Sequence, residues 1–378
     1  MNGFPLSPVP FPDPVPQPAP AWILWGLLVF TFMLHLLAMN FVVGGSVIGA
    51  VTARLGRRAG RPHHMALVRW LTDAMPIALA ATITFGVAPL LFLQVLYGRL
   101  FFTSSVLMGW FWFAVVPLVM VAYYGTYLLA FKSASLGHWG SWIRWLTIFI
   151  FLVIGFIFAN NMSLMLRPDL FRAIYADGGT AHGNFGDPTL WPRYLHLMLA
   201  AVAIGGMWVS GYGLICRPRR PEFGEWAMRY GARWFSGVTA VNLFMGFWFL
   251  FSLPGETMAR FMGPVPVATF VLGLGIFAGM TTMTLMFLAA NAPRPSPLVG
   301  CGIGGLLVTV VCMVLVRDQV RRGALATMNF EPVQWVEPQW FNIILFLVLL
   351  VAGTLTVVWM VRALVLAGRP GTEDGPVP

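Results

Sequence analysis

Nine stretches of this chain are each long enough to cross a bilayer as a helix and carry almost no charge, which leaves one solvent in which the chain can fold. A hydrocarbon core about 30 Å thick needs roughly 20 apolar residues of helix. The qualifying runs are 22–51, 71–97, 105–131, 145–166, 193–216, 234–254, 265–290, 298–316 and 341–365. In lipid every backbone N–H and C=O must be satisfied within the segment, which selects helices. The chain is 58% hydrophobic and 10% charged, against about 25% charged in soluble domains. The expected fold is an all-α integral membrane protein of nine transmembrane helices, with the bilayer as its first partner. The transmembrane domain covers 21–366, between a Pro-rich arm at 1–20, with prolines from Pro5 to Pro20, and a tail at 367–378. A soluble enzyme is excluded.

The net charge is +10, almost all of it arginine, since Lys132 is the only lysine. These arginines sit between apolar runs, so they orient the chain in a membrane and do not describe a nucleic-acid surface. Arg54, Arg57, Arg58, Arg61 and Arg69 follow the first run, and Lys132 and Arg144 follow the third. Arg217, Arg219, Arg220, Arg229 and Arg233 follow the fifth, and Arg294 follows the seventh. With nine crossings all of these lie on one side, which is the cytoplasmic side. The N-terminus is then outside and the C-terminus inside, in a bacterial inner membrane. Arg317, Arg321 and Arg322 run against this rule, because 317–340 reads as an outer loop. They either cost the arrangement something or have a task.

Cys216, Cys301 and Cys312 form no C-x-x-C-H, which excludes covalent c-type haem on this chain. Of the six histidines, His63, His64, His138 and His182 read as solvated loop residues. His35 and His196 lie inside apolar runs, where an ionisable group is expensive and usually functional. Their surroundings echo each other. His35 is followed by Gly44 and Gly45, and His196 by Gly205 and Gly206, at the same spacings of nine and ten residues. Each then leads to a basic segment and an Arg-Trp helix start, Arg69-Trp70 and Arg233-Trp234. Spans one and two therefore echo spans five and six, an internal repeat of helix pairs. Neutral imidazole ligates iron, and a flat macrocycle needs small residues beside it. The alternative for each histidine is a bond to a backbone carbonyl or a serine.

Over roughly residues 22–257 the sequence resembles subunit I of the cytochrome bd quinol oxidases. The segments that carry this are the two histidines with glycine nine residues on, Thr84-Phe85-Gly86-Val87-Ala88, Ala159-Asn160-Asn161-Met162 and Pro254-Gly255-Glu256-Thr257. The last is similar to the opening of that family's quinol loop. The resemblance implies nine spans, an outer N-terminus, haem iron on His35 and a low-spin haem b on His196, both toward the outer face. The chain also departs from the family. Only about ten residues, 255–264, stand where the quinol loop is long. Val271 takes the place of a methionine ligand, with Met280, Met283 and Met286 deeper in the span. Val314 and Leu315 stand where a carboxylate ligand is expected, Gln94 replaces a proton-channel glutamate, and Arg317-Asp318-Gln319 is what remains of a Gly-Arg-Gln-Pro-Trp segment.

Three functions stay open on these residues. The first is a membrane subunit binding one or two b haems, and quinone, that exchanges electrons between quinol and an outer-face partner, a c-type cytochrome or an iron–sulfur protein. A second membrane subunit is expected beside it. The candidate metal ligands are His35 and His196, and the candidate cofactor contacts are Asn40, Gly44, Gln94, Asn160, Gly205 and Arg317. Glu331 and Glu337 are further candidates for propionates or a partner. The second function is a quinol-oxidising oxygen reductase subunit. The third is a haem-free structural or transport subunit, which the lack of acids at mid-membrane disfavours as a proton-coupled transporter, Asp73 being the only acid within a run and near its inner edge.

Overall fold

The computed structural model describes residues 15–59, 61–178, 182–327 and 335–367. The outer parts of the proposed arm and tail, 1–14 and 368–378, and Glu331 lie outside these residues. In chain order the helices are α1 (Ala21–Ala59), α2 (Pro62–Phe131), α3 (Ser133–Leu136), α4 (Trp139–Leu164), α5 (Pro168–Ala176), α6 (Leu190–Cys216), α7 (Pro221–Ser252), α8 (Gly255–Ala259), α9 (Pro266–Asn291), α10 (Ser296–Thr327) and α11 (Trp340–Ala367). Four of them, α2, α5, α7 and α9, open on a proline. The missing N–H costs nothing there, since the first turn has no intrahelical acceptor for it.

Eight of these helices are long and apolar enough to cross a membrane. The longest, α2, has 70 residues and would measure about 105 Å if straight. It is not straight. Non-helical backbone at Tyr97 and at Gly109, whose φ is 25°, breaks it into two arms. Thr126 and Leu129 line the same crevice as Leu71 and Thr72. A continuous helix would hold Thr72 and Thr126 roughly 80 Å apart, so the arms fold back on each other. Glycine at 109 makes the left-handed backbone tolerable.

The bundle is organised by close approach. α1 and α6 run side by side and meet backbone to backbone. A Cβ on Gly44 would stand 2.1 Å from the Ala201 carbonyl oxygen, and one on Gly205 would stand 2.7 Å from the Gly44 carbonyl carbon. α1 also packs on α2, and α6 on α7, where Gly206 touches the backbone of Gly231 and Phe235. α4 lies against α2, while α9 joins α10 to α7. Lipid offers no hydrophobic drive for helix association, so small residues that let backbones touch carry it.

Several segment ends differ from the sequence reading. α1 continues past residue 51, and α2 begins at Pro62, so the basic segment between them is mostly helix. His64 is therefore not a solvated loop residue. It is 7% exposed, with its ring 4.7 Å from that of Trp226. The largest correction concerns 317–340, read as an outer loop. α10 runs to Thr327 and carries Arg317, Arg321 and Arg322 on its last turns. A helix extends through these charges because Arg321 and Arg322 pair with the buried Asp318 and Arg317 lies over the Phe32 ring. Before α11 the chain bonds to the end of the proline arm, with Gln17 N–H on the Trp335 carbonyl and Glu337 N–H on the Gln17 carbonyl.

The Gly44–Gly205 contact yields a test. Gly44→Ala is expected to destabilise the protein by about 1–3 kcal/mol through overpacking. Gly26→Ala, where no atom lies within 4 Å of the added carbon, should stay within about 0.5 kcal/mol. Thermal unfolding in detergent measures both.

Candidate functional site

His35 and His196 each precede their close-approach glycine by nine residues on α1 and α6. The helical rise puts both imidazoles about 13 Å from the crossing point, at one level of the bundle. Each ring turns to the next helix in sequence. His35 Nδ1 lies 3.0 Å from the Thr82 carbonyl oxygen of α2, and His196 Nδ1 lies 3.4 Å from the Asn242 carbonyl oxygen of α7. Four residues beyond each carbonyl is a glycine. A Cβ on Gly86 would come within 2.9 Å of His35 Cε1, and one on Gly246 within 3.1 Å of His196 Cε1. Residues i and i+4 share a helix face, so a carbonyl and a flat notch together hold each ring.

The protonation follows from the partners. A carbonyl only accepts, so Nδ1 carries the hydrogen and donates it. Nε2 is then the nitrogen with the free lone pair in both residues. Fixing the tautomer through a backbone carbonyl is the usual support for an imidazole metal ligand. The two readings offered for each histidine, ligand or carbonyl-bonded structural residue, thus involve different nitrogens of one ring.

A cluster of cations stands beside this level. The Phe32 ring, one turn before His35, is 6.3 Å from the imidazole, and the Arg317 guanidinium lies 4.3 Å from the centre of the same phenyl ring. One residue on, Asp318 is 2% exposed. It accepts from Trp25 Nε1 at 2.8 Å, from Arg322 Nε at 2.6 Å and from Arg321. Arg321 also lies over the Tyr97 ring and Arg322 over Trp25. From α6, Arg193 sits three residues before His196 and over the Phe249 ring, and its Nε is buried without a partner. Arg317 makes no ion pair among the described residues. Asp318 thus pairs with two of these four guanidiniums, and Asp187 attracts Arg193. An unmatched buried charge is costly.

The other sequence candidates are placed as follows. Asn40 is buried on α1, five residues past His35, and Gln94 is half-buried on α2, eight residues past Gly86. Asn160 is buried and its Oδ1 accepts the Asn184 N–H. Asn184 in turn donates to Ser163 Oγ and Asp187, and Asp187 accepts the Thr189 N–H where α6 begins. That network anchors the loop before α6. Val271 is buried on α9, Met280 is half exposed, and Met286 is fully buried with its sulfur against Gly302. Gly44 and Gly205 act as helix contacts. Of the set, the structure brings Arg317 toward His35.

Sequence reading did not single out Arg193, Asn242 or Gly246, and it named Asp318 only as part of Arg317-Asp318-Gln319, with no role. Two of these carried a local signal. Arg193 is one turn from His196, and Asp318, Arg321 and Arg322 stand at i, i+3 and i+4, the spacing of ion pairs on one helix face. Asn242 and Gly246 reach His196 only through the antiparallel docking of α7, which no local pattern encodes.

Among the described residues no three His, Cys, Asp or Glu side chains gather as a metal shell. A bare ion of the zinc type takes three or four protein ligands, whereas haem iron takes four nitrogens from its macrocycle and one or two from side chains. Paired imidazoles with free Nε2 atoms, glycine notches and surplus guanidiniums for propionates fit the second case.

No protein-family model and no curated protein matches the chain. Among solved structures it is similar to a chain of the bd oxidase from Geobacillus thermodenitrificans, with a TM-score of 0.75 and 10% sequence identity. The alignment covers 92% of this chain and 100% of that one. The chain therefore has the fold of a bd oxidase chain, nearly end to end.

Asp318→Ala would leave Arg321 and Arg322 without their shared carboxylate. The expected loss is about 3–5 kcal/mol, as for breaking a buried ion pair. It is measurable as a lower unfolding temperature in detergent.

Proposed function

We propose that this chain is a b-type haem-carrying membrane subunit that passes electrons between quinol and a redox partner on the outer face of a bacterial cytoplasmic membrane. The observation that carries the reading is the matched setting of His35 and His196. Two imidazoles on neighbouring parallel helices are each bonded through Nδ1 to a helix carbonyl, each flanked by a glycine, and each left with Nε2 free.

In this reading the chain crosses the membrane nine times, with the two arms of α2 as separate crossings. The arginine-rich connections after α1, the second arm of α2, α6 and α9 lie inside. The N-terminus is outside and the C-terminus inside. The arginines on the last turns of α10 then stand on the outer side, against the charge rule, because they answer Asp318 and the propionates. Arg317 and Arg193 are the residues that would hold propionate carboxylates, since a guanidinium donates in a fork that matches them. Haem, when bound, supplies one-electron exchange at its iron. The chain supplies the neutral imidazoles, their fixed tautomer, a dry setting and the countercharge. An outer location of the site fits a partner that docks there, a c-type cytochrome or an iron–sulfur protein, and a second membrane subunit alongside.

A second reading, in which the chain itself reduces oxygen, is favoured by the fold shared with a bd oxidase chain. It is opposed by Gln94, an amide that cannot carry a proton where the resembling family has a glutamate. Oxygen uptake with a quinol separates the two.

Purified protein from a haem-replete host is expected to show reduced-minus-oxidised b-type bands. His196→Ala and His35→Ala should each remove part of that spectrum while the protein still inserts and remains monodisperse. A colourless wild-type preparation, or spectra untouched by both substitutions, would end the haem reading.

A further inference from the structure

At the end of the bundle opposite the histidines, α1, both arms of α2 and α4 line an open crevice. Its lining is unusual for a lipid-facing protein. Arg144 stands in it together with the hydroxyls of Ser46, Thr72, Thr126 and Thr147 and the thioether of Met75. Gly45 and Gly49 on α1 give the room, since neither has a side chain to fill it.

The hydroxyls of Thr72, Thr126 and Thr147 donate to the carbonyls of Val68, Tyr123 and Ile143 on their own helices, which leaves Arg144 and Ser46 as the under-used donors. Arg144 has five N–H donors. One of its terminal nitrogens donates to Thr72 Oγ1 at 3.3 Å, and no carboxylate pairs with it among the described residues. The further charge acting on it is another cation, Arg57. Ser46 Oγ has only the Met75 sulfur, at 3.6 Å, as its acceptor, and a thioether accepts weakly. A half-buried guanidinium beside a hydroxyl aimed at sulfur lacks an anion with several oxygens. Guanidinium plus hydroxyl is the donor set that suits a phosphate.

The position says which phosphate. Arg144 lies in the first two turns of α4, between the exposed rings of Trp139, Trp142 and Trp145. Exposed tryptophans at a helix start mark the membrane–water interface, where phospholipid headgroups lie. Basic pockets between transmembrane helices on the cytoplasmic side bind anionic headgroups.

We propose that this crevice holds the phosphate of an anionic phospholipid, gripped by Arg144 with Ser46 as the hydroxyl donor beside it. The site is independent of the haem reading and stands whether or not the histidines bind iron. Its role is to tie together α1, α4 and the two arms of α2 through one lipid.

Native mass spectrometry of the full chain in a mild detergent tests it, after exposure to phosphatidylglycerol or to phosphatidylcholine. The expected result is one retained phosphatidylglycerol, with phosphatidylcholine about tenfold less occupied, the size of one lost charge-assisted contact. Arg144→Gln should lower retention about tenfold, while Arg294→Gln, at the same end but outside the crevice, leaves it unchanged. If Arg144→Gln does not yield folded protein, Arg144→Lys and Ser46→Ala decide, each expected to weaken retention several-fold. Equal retention in these variants, or equal retention of the two lipids, overturns the proposal. Arg144-dependent binding of inorganic phosphate with no retained lipid overturns the lipid assignment.

Discussion

The contact between the backbones of α1 and α6 at Gly44 and Gly205 sets the geometry on which everything else rests. A side chain at either position would collide with main-chain atoms of the other helix, so the two helices are held at one distance and one register. Register matters because each helix carries its histidine the same nine residues away. Fixed rise per residue then converts a repeated spacing into two imidazoles at one height. The partner helices, α2 and α7, complete the arrangement with the same device, a carbonyl and then a glycine four residues on. Such repetition across two helix pairs is what a duplicated unit would leave.

Charge is distributed with equal economy. The cations cluster at the two ends of the bundle, and each cluster has a physical reason for its size. At the histidine end, Asp318 is buried and answers two arginines, while Arg193 and Arg317 stand over aromatic rings. Aromatic faces attract cations but do not neutralise them, so the surplus charge remains available to an anion. At the opposite end Arg144 is short of an acid in the same way. In a low-dielectric setting a lone charge is not a neutral decoration. The proposed cofactor carboxylates at one end and the proposed lipid phosphate at the other would answer these charges.

Much of this was readable along the chain, and the limits of reading were specific. Apolar runs of membrane length became helices because lipid permits little else. The paired His–Gly–Gly pattern marked the residues that the fold places at matching positions. The reading of 317–340 as an outer loop went wrong because charge was taken as a sign of water. Asp318 and Trp25, nearly 300 residues apart in sequence, supply the partners that let α10 continue. His64 was misplaced for the same reason, since Trp226, which covers it, comes from a helix far along the chain.

By itself the sequence determined the class of protein and the two histidines worth attention, because these depend on composition and on spacing within one helix. Only the tertiary structure decided which nitrogen of each imidazole is free, which glycines make room for the rings and which arginines share an acid. Those outcomes depend on atoms from different helices meeting within about 3 Å, the range of a hydrogen bond. Helix-to-helix docking creates such meetings, and no one-dimensional pattern carries them.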